Sequence, residues 1–308
     1  MAKWGTLMAK ILRTVKPNAG IQAAYRRRLQ SLIDDMQRST VWWLRAAYRK
    51  DEDRIAQDAS PARGLQKVLN RLFRYWLRRW SDEAEKIARE FIGKTQRRTT
   101  NSYHQAFKAA GFTVKMDPSR AQNDVVQALL KENVSLIKSI PQHYFTEVTG
   151  LVQRSASMGR DVGFLVDELD KRYDITRRRA KLIARDQSNK ATQAIKRVEG
   201  QRLGLKIGIW VHIPGTKTSR ATHKAMNGKP FLLSEGMYDS AVGRKVLPGE
   251  LVACACTYRD FVPEFGDKVT PEIQKLLDSV ENKTLSLSPS IAVPGGTGRK
   301  GLLTLAKN

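Results

Sequence analysis

Apolar residues recur every three or four positions through most of the chain, then switch to every second position near residue 206. The first pattern predicts helices and the second strands. A first helix is expected from about Ile21 to Lys50, carried by Tyr25, Leu29, Leu32, Ile33, Met36, Trp43, Leu44, Ala47 and Tyr48, with Ser39-Thr40 as a point of interruption. Asp51-Glu-Asp and Ala59-Ser-Pro61 mark the break before a second helix, Ala62 to Ile92. There Leu65, Leu69, Leu72, Trp76, Trp80, Ala84, Ile87 and Phe91 form one stripe that should face a core. Gly111 and Asp117-Pro118 close this region.

A further helix is expected from Ser119 to Ser139, broken by Ile140-Pro141. After Gly150, Gly159 and Gly163 comes a short helix, Val162 to Tyr173. A long helix then opens at Asp174, capped by Asp174 or Thr176. Its face of Ala180, Ile183, Ala184, Gln187, Ala191, Ala194, Ile195 and Val198 is narrow and small, and Gly200 and Gly204 signal its end.

Alternation over Lys206 to Ile213 predicts a strand with Ile207, Ile209, Val211 and Ile213 on one face and Trp210 and His212 on the other. Leu251 to Tyr258 reads as a second strand, with Val252, Cys254, Cys256 and Tyr258 sharing a face. A short helix, Pro271 to Val280, precedes a Ser-, Pro- and Gly-rich tail expected to be mobile. The expected fold is therefore α+β and mainly α-helical. A basic helical region (1–118) is followed by an α+β domain (119–265), in which a long helix packs on a small sheet, and then by a flexible tail (266–308).

Charge changes the picture. The 308 residues carry a formal net charge of +25. Self-repulsion at that charge favours a polyanionic neighbour. Duplex DNA, with one phosphate per ~1.7 Å of axis, is the natural one. Lys67, Arg71, Arg74 and Arg78 step along one face of the second helix with Arg79 beside them, and acids are absent from that row until Asp82 and Glu83. An ordinary solvated face would mix signs for i,i+4 pairing, so these five are the candidate phosphate track. No apolar run approaches the ~20 residues needed to cross a bilayer. Met1 to Arg13 lacks the apolar core and cleavage site of a secretion signal, so use without secretion is expected.

The remaining chemistry lies between Trp210 and Cys256. His212, His223, Cys254 and Cys256 are zinc-binding residue types. The Cys-x-Cys spacing is not Cys-x-x-Cys, however, and the expected strand face favours both cysteines as small core residues, with no cofactor. Zinc is the alternative. A nuclease or strand-transfer centre on His223, with Asn227 four residues on, lacks the paired carboxylates of a two-metal site. A tyrosine recombinase could use Tyr258 but would need a His-x-x-Arg signature, which is absent. The structural reading covers the same residues: Asn227-Gly228 for a tight turn, Pro248 to stiffen a loop, His223 to tie one down, Trp210 to pack.

Thr218-Ser-Arg-Ala-Thr-His223, Met226-Asn227-Gly228-Lys-Pro-Phe231, Pro248-Gly249-Glu250 and Cys254-x-Cys256, taken in order, resemble the closing motif of the Mu F-like phage head morphogenesis family. The helix Arg179-Ala-Lys-Leu-Ile-Ala-Arg185-Asp-Gln-Ser-Asn189 resembles that family's upstream helix, and the likeness runs from about Val125 to Pro263. The chain departs from the family where Gly215 and Thr216 replace an acidic stretch, and where Ala253-Cys-Ala-Cys256 replaces Asn-Cys-Arg-Cys. The resemblance implies a non-enzymatic minor head protein of a tailed bacteriophage, made in the host cytoplasm and placed inside the head near the portal. Its implied partners are the portal protein and packaged double-stranded DNA, with the major capsid or scaffold protein as a further contact and no membrane during assembly. Only Trp210, His223, Asn227, Gly228, Pro248, Cys254 and Cys256 carry over as family-motif positions.

Overall fold

The computed structural model describes residues 12–52, 61–114, 119–157, 162–214, 219–262, 268–286 and 306–307. Four long helices dominate: α1 (Ala19–Glu52), α2 (Pro61–Ala109), α3 (Arg120–Ser157) and α4 (Val162–Arg202). A two-residue strand β1 (Phe112–Thr113) lies between α2 and α3. After α4 come β2 (Ile207–Val211), the single turn α5 (Ala221–Ala225), β3 (Pro230–Leu232), β4 (Met237–Asp239), β5 (Arg244–Val246) and β6 (Thr257–Asp260). Helix α6 (Pro271–Ser286) follows, and β7 (Ala306–Lys307) pairs antiparallel with β1. The fold is mainly helical α+β, as the pattern predicts.

The helices run longer than expected, for local reasons. Ser39-Thr40 does not interrupt α1, because the Thr40 hydroxyl donates to the Met36 carbonyl at 2.8 Å, one turn back. Pro141 lies inside α3 rather than ending it. The turns on either side bury Ile137, Ile140, Tyr144, Phe145 and Val148, and that packing outweighs the missing amide. Asp174 and Thr176 cap nothing. The expected short and long helices are one, α4, in which the Thr176 hydroxyl bonds back to the Arg172 carbonyl at 2.7 Å. Gly111 (φ +95) and Gly204 (φ +80) take left-handed conformations at the ends of α2 and α4, as expected of terminating glycines.

The chain folds as two compact units that interleave along the sequence, with boundaries inside α2, α3 and α4. The divisions expected at 118 and 265 and most of the expected tail fall outside the described residues. One unit (18–94 and 127–188) is helical. Every member of the Leu65–Phe91 stripe is buried in it. Tyr25 stacks on Phe91 with ring centroids 4.2 Å apart, and its hydroxyl donates to Asn133 Oδ1 at 3.1 Å. Asn133 Nδ2 in turn donates to Gln187 Oε1 at 2.9 Å, so a polar chain ties α1, α3 and α4 together within the core.

The other unit (1–17, 95–126 and 189–308) holds the sheet. Strand β2 is central, antiparallel to β3 on one side and β6 on the other, while β4 and β5 form a separate hairpin. The predicted alternation in β2 holds. Ile207 and Ile209 pack with Leu232, Phe261 and Ile273, whereas Trp210 packs with Met226, Phe231, Leu233, Val246, Cys254, Cys256 and Tyr258. The second strand differs. It begins only at Thr257, and Leu251–Cys256 is a turn and extended link, with Val252 exposed and Ala253 at φ +59. A left-handed alanine breaks the two-residue period that the sequence suggested.

Candidate functional site

The family-motif residues converge on one face of β2. Asn227 and Gly228 form the turn after α5, with Gly228 at φ +78 donating its amide to the Trp210 carbonyl at 2.9 Å. Asn227 Oδ1 accepts from the His212 amide at 2.9 Å, which fixes the backbone where β2 ends. Pro248-Gly249 occupies the middle of a turn in which the Glu250 amide donates to the Leu247 carbonyl at 3.1 Å and Gly249 sits at φ +80. Those are the proline and glycine positions of a type II turn. A side chain at Gly249 would also strike Asn189 Nδ2, 2.8 Å from where its Cβ would stand.

Helix α4 holds this assembly through polar side chains. Asn189 Nδ2 donates to the carbonyls of Cys254 (2.7 Å) and Cys256 (3.1 Å). One turn on, Gln193 Oε1 accepts from the Thr257 hydroxyl at 2.9 Å. Lys196, fully buried, donates to the Tyr258 carbonyl at 2.7 Å and pairs with Asp260 at 3.1 Å. Its ammonium also lies 3.6 Å from the centroid of the Tyr258 ring. Burial pushes the Lys196 pKa down, opposed by Asp260. Sequence reading found the small apolar face of this helix and missed the polar row. The signal was present: Asn189, Gln193 and Lys196 recur at i, i+4 and i+7, so they share a face.

All four zinc-type residues lie at this place. Cys254 Sγ is 3.4 Å and Cys256 Sγ 3.6 Å from His223 Nδ1, and Cys256 Sγ is 3.5 Å from His212 Nδ1. The ligand atoms of His223, Cys254 and Cys256 all lie within 4.8 Å of one another. Both cysteines are buried and free of any disulfide, and they belong to the apolar cluster around Trp210. The far nitrogens of the two imidazoles are also engaged: His223 Nε2 lies 3.1 Å from Asp239 Oδ2, and His212 Nε2 lies 3.0 Å from Ser219 Oγ. Asp239 and Ser219 were not singled out from the sequence, since neither lies at a recognisable spacing from its histidine.

The thiols are electrostatically unequal. Cys254 is lowered to about 5, first by a hydrogen bond from Cys256, which outweighs burial; the backbone amides of Cys256 and Gly249 and nearby His223 lower it further. Cys256 is pushed up, first by its bond to Cys254 and then by burial. Asp239 is held below the usual carboxylate range: burial opposes its ionisation, but the Ala241 amide, the Thr222 side chain and His223 outweigh that. The His223 ring is almost wholly buried, and both its nitrogens face partners.

The cationic row on α2 belongs to the helical unit. Lys67, Arg71, Arg74 and Arg78 are exposed, and among the described residues none has an ion-pair partner. At about 100° per residue they fall within a ~60° arc, and at 1.5 Å per residue they span ~16 Å. Arg79 stands apart. It pairs with Asp35 at 3.3 Å and lies over the Trp76 ring at 5.0 Å. Next to this row a groove of about 630 Å³ is lined by Trp43, Arg71, Leu72, Tyr75 and Trp76 among others, with Trp43 and Tyr75 exposed.

Comparison with known proteins gives the same emphasis. The chain is 26% identical over 235 residues to an uncharacterized protein of Haemophilus influenzae, an alignment covering 72% of this chain and 50% of that one. The chain thus matches about half the length of that relative. No solved structure matches. Residues 146–259, which hold all of α4 and the convergent assembly around Trp210, match the model of the phage Mu protein F-like family, the family that the order of the motifs pointed to.

Proposed function

We propose that this protein is a minor head protein of a tailed bacteriophage that acts, without catalysis, in head morphogenesis or DNA delivery. It sits inside the head against the portal and the packaged double-stranded DNA. The observation that carries this reading is the match of residues 146–259 to a family of phage head morphogenesis. The exposed row Lys67, Arg71, Arg74 and Arg78, without an ion-pair partner among the described residues, supports the DNA contact, because a net charge of +25 needs counter-charge and these residues can reach successive phosphates. Exposed Trp43 and Tyr75 beside Arg71 make a surface of the composition favoured at protein interfaces, which supports a docked rather than free state.

The test combines location with charge. Mass spectrometry of purified particles should find this chain at low copy number relative to the major capsid protein. In solution, the logarithm of its DNA affinity should fall steeply with the logarithm of salt concentration. Replacing Arg71, Arg74 and Arg78 together with Gln should flatten that slope by roughly 0.9 per lost phosphate contact. Absence from particles overturns the virion placement, and an unchanged slope overturns the track.

A further inference from the structure

We propose that His223, Cys254 and Cys256, whose donor atoms already converge, bind one zinc ion, with His212, next to Cys256, drawn in as the fourth ligand. The donors are Nδ1 of each histidine and both sulfurs. A tetrahedral zinc with Zn–S near 2.3 Å and Zn–N near 2.0–2.1 Å places neighbouring sulfur and nitrogen ligands about 3.6 Å apart. The three sulfur–nitrogen separations here are 3.4, 3.6 and 3.5 Å. Hydrogen bonding alone serves this arrangement poorly. Both sulfurs approach the same nitrogen, His223 Nδ1, which has a single bonding direction to offer. A central cation serves His223 Nδ1 and both sulfurs at once, since these three atoms all lie within 4.8 Å of one another, and His212 Nδ1 stands beside them at Cys256.

The surroundings fit the ion. His223 Nε2 faces the Asp239 carboxylate, so the ring proton lies on Nε2 and the Nδ1 lone pair points at the sulfurs. A carboxylate behind a ligating imidazole is the usual outer partner of zinc, and Ser219 stands in the same relation to His212. Backbone amides of Gly249 and Cys256 point at Cys254 Sγ, and that of Ile213 at Cys256 Sγ, as thiolate ligands require. Left-handed Ala253 turns the link so that Cys254 and Cys256 face inward together, which a regular extended strand at Cys-x-Cys spacing would do only along one flat face. Once His212 joins the three converging ligands no position is open, so the ion is structural: it joins the end of β2, α5 and the 254–256 link, a region whose strands are only three to five residues long.

The full-length protein, purified without chelator, should contain about one equivalent of zinc by plasma mass spectrometry. Replacing zinc with cobalt should give a sulfur-to-cobalt charge-transfer band and the intense visible bands of a tetrahedral site. The Cys254→Ser/Cys256→Ser double variant should lose both metal and spectrum. His212→Ala should keep the metal but alter the visible bands as water takes its place. Because the wild-type protein is itself measured, a misfolded variant leaves the test decisive. Wild-type protein with no stoichiometric zinc and no cobalt spectrum overturns the site, as does zinc retained undiminished by the double variant. Cobalt bands unchanged in His212→Ala overturn the fourth ligand. None of these readouts depends on location in a phage particle, so this inference and the proposed function fail separately.

Discussion

Lys196 is the residue whose removal should be felt most in the sheet-bearing unit. It has no exposed surface, and it holds Asp260, which is just as buried. Truncating one partner of such a pair leaves the other charge uncompensated, at a cost of about 3–5 kcal/mol. Lys196→Met should therefore lower stability by that order in denaturant unfolding, and adding Asp260→Asn should restore part of it. Asn189→Ala removes both bonds that fasten the Cys254 and Cys256 carbonyls to α4 and leaves those carbonyls buried. A loss of roughly 1–3 kcal/mol is expected. If the zinc inference holds, the same substitution should also speed the exchange of metal into a chelator.

At the scale of the element, α2 illustrates what the sequence makes visible. Its buried stripe was legible residue by residue, because a helix packed along one side must repeat every three or four positions. Trp80 lies at the centre of that stripe with no exposed surface. Trp80→Ala should cost about 3–5 kcal/mol, seen as a lower midpoint in chemical denaturation. The illegible parts are those where distant packing overrides a local signal. Pro141 reads as a stop until the buried side chains of the turns on both sides are known. The polar row Asn189–Gln193–Lys196 reads as a hydrophilic face until its partners, more than sixty residues away, are in place. The four Cys and His residues were found by type, but the Cys-x-Cys spacing argued for a strand. Nothing local announces that Ala253 is left-handed.

For the whole molecule, net charge matters less than which cations are free. Arg78 and Arg79 are neighbours in sequence, yet among the described residues Arg79 pairs with Asp35 and Arg78 has no ion-pair partner. Under the DNA-track reading, Arg78→Gln should reduce the salt slope of DNA binding by roughly 0.9, while Arg79→Gln should leave it nearly unchanged. Equal effects of the two would mean that the chain binds by bulk charge rather than through an aligned row.

Leu12 and Val15 pack in one cluster with Tyr103, Phe107, Val114 and Val262. Roughly 250 residues separate the two ends of that cluster, and a ribosome adding ~5–20 residues per second needs some tens of seconds to deliver the second after the first. Through that interval the cluster over Leu12 and Val15 lacks Val262, its last-made member. The helical unit can mature while translation continues, whereas the sheet-bearing unit is completed only once Val262 has emerged. Cells making this polypeptide quickly should therefore depend on nascent-chain chaperones, and slower elongation should raise the soluble yield.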